Sequence, residues 1–218
     1  MLTHYMYGHM PPRPTSESVT IKQIISRPAF EGVATEEHFV LTLNGGEKKL
    51  NLDIWLFKPR ADQRYPTIIK NCHVLFDIET VYGKWPENHQ MSPTVTKAIA
   101  NDTRAAHEAV KRGYLLCKFN REQLAVDFAY RRRVELAGLE LPNHRDVGIY
   151  PLYPDYDWGA IAVWAWEHGV VLDALDRLGY SDLDNIAHFR LPPLLTGEEF
   201  SIERYFDSVS EDRLHISK

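Results

Sequence analysis

The chemistry a chain can perform begins with its nucleophiles. Serines stand at positions 16, 18, 26, 92, 181, 201, 208, 210 and 217, and none has glycine both two residues before and two after it. The strand-to-helix elbow of serine hydrolases needs those small residues, because the backbone turns sharply there to expose Oγ. No serine here fits such an elbow. The ten histidines form no HExxH pair, since His107-Glu108 continues as Ala-Val-Lys, which reads as helix surface. His4, His9, His73, His89 and His144 share no spacing, so no metal or cofactor is expected. His168 falls within an apolar helical run and reads as a hydrogen-bonded core histidine. No GxGxxG and no GKS or GKT cradle is present. Asn101-Asp102-Thr103 fits either a glycosylation acceptor or a helix N-cap. Asn120-Arg121-Glu122 follows directly on an apolar run. Asn120 and Arg121 are the candidate ligand contacts, with a satisfied turn or helix cap as the equal alternative.

These residues are positioned by two kinds of element. The first is antiparallel. Val19–Ile25 is strand-like, and Glu37–Leu43 places Phe39, Leu41 and Leu43 on one face. Asn44-Gly45-Gly46 reads as a hairpin turn in which both glycines accept positive φ. The return strand, Lys49–Phe57, has Leu50, Leu52, Ile54 and Leu56 on one face and Trp55 and Phe57 on the other, so it should be covered on both sides. The second kind is parallel. Thr67–Ile69 and Tyr114–Phe119 are short apolar runs bounded by turn residues, as buried parallel strands are. Asn101–Arg112 between them reads as a helix stopped by Gly113. A second helix is expected over 157–178. Its apolar arc holds Ile161, Trp164, Ala165, Leu172 and Leu175, with Glu167 and Arg177 outside it. Asp155 or Asp157 would cap its start, and Gly179 would end it in the left-handed conformation. A strand then opens at Asn185–His188. Two long loops, within 72–98 and 120–156, leave from the carboxyl ends of the parallel strands, where open α/β sheets build their crevices.

Composition narrows the function. At 44% hydrophobic and 11% aromatic over 218 residues, the chain is that of a packed protein with one sizeable core. A net charge of −5 gives no footprint for nucleic acid. The Arg131-Arg132-Arg133 cluster, followed by Glu135, reads as a solvated loop or helix end. No apolar run approaches the roughly 20 residues of a membrane span, and the first residues lack the pattern of a signal peptide. Cys72 and Cys117 lie in strand-like runs and read as buried thiols, with a disulfide open if the two strands are neighbours.

Three stretches carry a family resemblance: HYMYGHMPPRP, HEAVKRGYLLCKFNRE and GIYPLYPDYDWGAIAVWAWEHGVVLDALDRLG, of which the DWGA–WAW block is the most specific. Over roughly residues 5–188 the chain resembles the α/β-hydrolase glucuronoyl esterases among the carbohydrate esterases. The resemblance implies an α/β fold: an incomplete α/β-hydrolase-like sheet with an antiparallel N-terminal hairpin followed by parallel βαβ units. It implies hydrolysis of glucuronate esters of plant cell-wall polysaccharide by serine, histidine and a carboxylate. It implies no cofactor, a carbohydrate ester as partner, and an exported protein. The match stops at about His188, before the strand end where the family carries its serine, so no catalytic residue is carried over. The expected organisation is an extended segment at 1–18, a partial hydrolase domain at 19–188 and a divergent tail at 189–218. Both ends are those expected of a fragment or frameshifted product, inactive by itself. Exposed Trp158, Trp164 or Trp166 would accompany a missing half.

Overall fold

A computed structural model describes residues 7–72, 93–125 and 143–189. The arginine cluster 131–133, residues 190–218 and the interiors of both long loops lie outside the described residues.

The strands are β1 (Val19–Ala29), β2 (Ala34–Gly45), β3 (Lys48–Pro59), β4 (Tyr65–Cys72), β5 (Leu115–Asn120) and β6 (Ser181–Phe189), with helices α1 (Pro93–Lys111) and α2 (Ala160–Leu178). They form one six-stranded sheet in the order β1-β2-β3-β5-β4-β6. β1, β2, β3 and β5 pair antiparallel in sequence of position, and β4 pairs parallel with both β5 and β6. The antiparallel hairpins and the parallel units are therefore both as the sequence predicts. All six residues of β5 are buried, which a strand between two covered faces requires.

The two helices cover opposite faces. Ile68 and Leu116 pack with Ala105, Ala106 and Ala109 of α1. Their sequence neighbours Ile69, Leu115 and Cys117 join Leu41, Leu52, Ile54 and Leu56 in a larger core against α2. Alternation along the strands sends successive side chains to the two layers. α1 begins at Pro93, so Asn101 lies inside the helix and caps nothing. Gly113 follows with φ +81°. His107, expected on the helix surface, is half-buried, its ring stacked on Phe30 at 4.9 Å.

α2 departs from the sequence reading in three respects. Its buried stripe is Ala162, Val163, Trp166, Glu167, Val170, Val171, Ala174 and Leu175. Ile161 is 57% exposed, and Ala165 is also exposed. The stripe repeats as pairs every four residues, but Glu167 occupies one of the paired positions, so a hydrophobicity pattern places the arc on the wrong side. Second, Gly159 is the N-cap and no side chain caps the helix. Asp157 instead accepts from the His9 backbone N–H at 2.7 Å and from its Nδ1 at 2.9 Å, which holds the carboxylate below its ordinary value of 3.8. Third, Trp158 and Trp166 are buried and Trp164 is half-buried, so the indoles form no exposed face. Gly179 does close the helix with φ +73°.

Residues 7–14 strap the start and one flank of α2. The Gly159 N–H donates to the Tyr7 carbonyl at 3.0 Å, Trp166 Nε1 to the Pro12 carbonyl at 3.3 Å, and Arg13 to Asp173 at 3.1 Å. In the β2–β3 hairpin only Gly46 has positive φ (+69°), the first of two loop residues and the position where glycine is favoured. Gly45 is needed for space instead: a Cβ there would stand 2.9 Å from Leu152. β6 starts four residues earlier than expected, with Ser181 opposite Tyr65, and the register jumps so that Thr67 faces Ile186. Cys72 pairs in register with Asn120 and Cys117 with Ile69. Three residues of offset is about 10 Å along a strand, too far for a disulfide between the two.

Candidate functional site

The carboxyl ends of β5, β4 and β6 lie side by side at Asn120, Cys72 and Phe189. That edge of a parallel sheet is where backbone runs out and loops begin, so ligands of such folds sit there. Asn120 is buried, and its Oδ1 accepts from the Glu122 N–H at 3.1 Å, closing a short 3-10 turn over Arg121–Gln123. Asn120 thus serves the cap of the two readings its sequence position allowed. Arg121 projects differently: its guanidinium lies 4.2 Å from the Trp164 ring centroid, a cation–π contact with α2.

α2 brings three groups to this end of β5, and the sequence reading singled out none of them for the site. Trp164 Nε1 donates to the Ala125 carbonyl at 2.9 Å, tying helix to loop. One turn on, Glu167 is fully buried, and neither carboxyl oxygen meets a hydrogen-bond partner among the described residues. Burial raises its pKa well above the ordinary 4.5, and the Arg121 charge pulls in the opposite direction. His168, adjacent to it, gives Nδ1–H to the Trp164 carbonyl at 2.6 Å and stands edge-on to Phe119 at 4.9 Å. A carbonyl oxygen only accepts, so the neutral ring carries its proton on Nδ1. His168 is thus hydrogen-bonded as expected, but it is half-buried rather than part of the core. Nothing in the sequence marks Glu167, whose place shows only once Val163, Trp166, Val170 and Val171 are seen buried around it.

Two further polar groups lie nearby in the sheet. His38 donates from Nε2 to Asp53 at 2.5 Å and stacks on Trp55 at 4.5 Å, and the Gln123 amide donates to the other Asp53 oxygen at 2.6 Å. Asp102 of α1 binds both Lys70 of β4 and Lys118 of β5. Each ties elements together across the sheet. Among the described residues no three His, Cys, Asp or Glu side chains gather as a metal site needs. No described serine reaches the crevice edge either: Ser16 and Ser18 precede or open β1's approach, Ser26 lies in β1, and Ser181 starts β6 at the opposite end. The described part of this edge carries a guanidinium over an indole and a buried carboxyl as its polar groups.

Solved structures share this fold. A CE15 glucuronoyl esterase from Teredinibacter turnerae superposes with a TM-score of 0.61 at 20% identity, over 86% of this chain and 42% of that one. A glucuronoyl esterase from Solibacter usitatus gives 0.59 at 22% identity, over 84% and 47%. A promiscuous CE15 esterase from the marine bacterial metagenome gives 0.57 at 19% identity, over 86% and 48%. No protein-family profile matches the sequence, and no curated protein matches it. The chain therefore has the α/β-hydrolase-type fold that these structures share, and it spans less than half of their length.

Proposed function

We propose that this chain forms part of the substrate crevice of a carbohydrate-esterase-type α/β-hydrolase and does not itself carry the acyl-transfer chemistry. The ligand class is a glucuronate ester of plant cell-wall polysaccharide, and Asn120 and Arg121 are the crevice residues, Asn120 through the turn it closes and Arg121 directly. The observation that carries this is the placement of the Arg121–Trp164 pair at the carboxyl end of β5, in a sheet that superposes on esterase structures. Residues 19–188 are taken as the hydrolase-type part, with 1–18 as an extended segment before it and 189–218 as a stretch of divergent sequence after it. Ester hydrolysis on such a sheet proceeds by serine attack, a histidine–carboxylate pair and an oxyanion hole. No serine of this sequence has the glycine spacing of the strand-to-helix elbow that presents the nucleophile in such folds.

The test is direct. Purified 218-residue chain, incubated with a benzyl ester of glucuronic acid, should release no alcohol above the buffer rate. The same chain should bind a glucuronate-bearing xylo-oligosaccharide more tightly than the unsubstituted one. Turnover by the chain would overturn the non-catalytic reading, and equal binding of the two oligosaccharides would overturn the crevice.

A further inference from the structure

We infer that the turn between β1 and β2 is a strained latch that opens as a local unit while the sheet stays folded. The Phe30 ring, held between Phe57 and His107, clips the hairpin to α1 and keeps two non-glycine residues in the left-handed backbone.

The strain is confined to one place. Phe30 (φ +51°) and Glu31 (φ +56°) are the only non-glycine residues with positive φ among the described residues, and they are adjacent. A left-handed backbone brings Cβ against the carbonyl that follows, so a bulky side chain there is an outlier. The flanking residues are ordinary, Ala29 extended (φ −129°, ψ 158°) and Val33 right-handed helical (φ −71°, ψ −27°). Gly32, with φ +88°, carries no such penalty.

Strain of this kind persists only where the surroundings over-determine the conformation, and here the surroundings are two rings. Phe30 stacks on Phe57 of β3 at 5.5 Å between centroids and on His107 of α1 at 4.9 Å, with interplanar angles of 30° and 24°. It also packs against the cluster of Ile68, Leu116, Ala105, Ala106 and Ala109 that joins α1 to the sheet. The rest of the turn offers little hold. Glu31 and Val33 are exposed, and the hydrogen bond from the Val33 N–H to the Phe30 carbonyl, at 3.0 Å, is internal to the turn.

Two opposed contributions set the opening. Leaving the stack loses the ring contacts and the apolar cover of Phe30. It also releases the backbone of Phe30 and Glu31, so opening costs less than it would for an unstrained turn with the same ring. Segments that open locally are those with few buried contacts of their own. Ala29 and Ala34, the last pair of the β1–β2 ladder, bound the moving segment. When the ring leaves, α1 loses this tie to the hairpin, while Asp102 still binds it to Lys70 and Lys118 of the parallel strands.

The test is native-state hydrogen exchange of the full chain by NMR, at rising urea below the unfolding transition. The Val33 amide reports the latch and the Cys117 amide the buried strand β5. Val33 should exchange through an opening that urea barely affects, and Cys117 through one that urea promotes steeply. Glu31→Gly keeps the ring and removes the penalty at one residue, so Val33 should exchange about fivefold more slowly. An unstrained turn gives the opposite sign, because glycine adds freedom to the open state. His107→Ala removes one side of the clamp, and Val33 should exchange about fivefold faster. Phe30→Leu, apolar but without a ring face, should change it in the same direction. Unchanged or faster Val33 exchange in Glu31→Gly would overturn the strain. Exchange that ignores both His107→Ala and Phe30→Leu would overturn the clamp. A single urea-dependent opening shared by Val33 and Cys117, or a Val33 amide as unprotected as in a free peptide, would overturn the latch itself.

Discussion

Gly148 and Gly113 share a left-handed backbone and differ in what surrounds them, so they separate conformation from space. A Cβ on Gly148 (φ +63°) would lie 2.1 Å from the Leu124 carbonyl oxygen, a backbone atom that cannot swing away. Gly113 (φ +81°) has nothing within 4 Å. Gly113→Ala should therefore cost only the left-handed penalty, about 1–2 kcal/mol. Gly148→Ala should cost clearly more, because the Leu124 carbonyl, which accepts from the Ile149 N–H at 2.9 Å, must move as well. Urea unfolding of the two variants checks the difference, and equal losses would contradict the backbone clash. Glu167 offers a second residue-scale test through pH. Its folded-state pKa is raised above 4.5 by burial. The native state then binds more protons than the unfolded state above about pH 4.5, so stability falls as pH climbs from there through the folded value. Glu167→Gln, neutral throughout, should remove that part of the slope and be more stable than the parent chain at alkaline pH. Thermal melts from pH 5 to 9 measure this. Neither residue's role was legible in the sequence. Gly148 is one of the chain's twelve glycines with no turn motif around it, and Glu167 reads as a solvent-facing charge until its neighbours at 163, 166, 170 and 171 are known to be buried.

At the scale of elements, local signals carried most of the sheet. The alternation of Phe39, Leu41 and Leu43, and of Leu50 through Leu56, placed β2 and β3 because each strand has one face on a core and period two is unambiguous. β4 and β5 were found as unbroken apolar runs, since both faces are covered. α2 was found as a helix but turned about its axis. Its sequence is apolar on more than one side, with Ile161 and Trp164 competing against Val163 and Val170, so periodicity alone does not fix the buried stripe. The two arcs make different predictions. Leu175 lies in both and is fully buried, whereas Ile161 belongs only to the sequence-derived arc and is exposed. Leu175→Ala should cost about 2–5 kcal/mol, while Ile161→Ala should stay within about 0.5 kcal/mol. Chemical denaturation of both variants decides between the arcs, and comparable losses would restore the sequence-derived one. The site shows the same limit. The place of Asn120 and Arg121 at the end of β5 was legible because they close an apolar run. The place of Trp164 was not, since its indole reaches a carbonyl 39 positions away in the chain and nothing local encodes that meeting.

For the molecule as a whole, the question is what holds α1 to the sheet at the crevice end. Its apolar contacts are with small side chains, Ala105, Ala106 and Ala109 against Ile68 and Leu116, so they bury modest area per residue. Asp102 supplies a polar anchor in the same layer. It binds Lys70 of β4 and Lys118 of β5 at once, and both lysines are almost wholly buried. Lys118 also stands 5.2 Å above the Phe57 ring of β3, so one carboxylate links helix and two adjacent parallel strands, with a third strand close by. Asp102→Ala removes the carboxylate both ammonium groups share and should destabilise the chain by about 3–5 kcal/mol, as loss of one partner in a buried ion pair does. Changing the whole triad to apolar residues of similar volume, Lys70→Met with Asp102→Leu and Lys118→Met, should restore most of that loss, since the desolvation of three charges disappears along with their attraction. Measured by urea unfolding, a triple variant no better than Asp102→Ala would mean that the triad contributes something beyond charge pairing to the junction of α1, β4 and β5. An Asp102→Ala loss below about 1 kcal/mol, the range of exposed pairs, would mean that the two lysines are held by other groups.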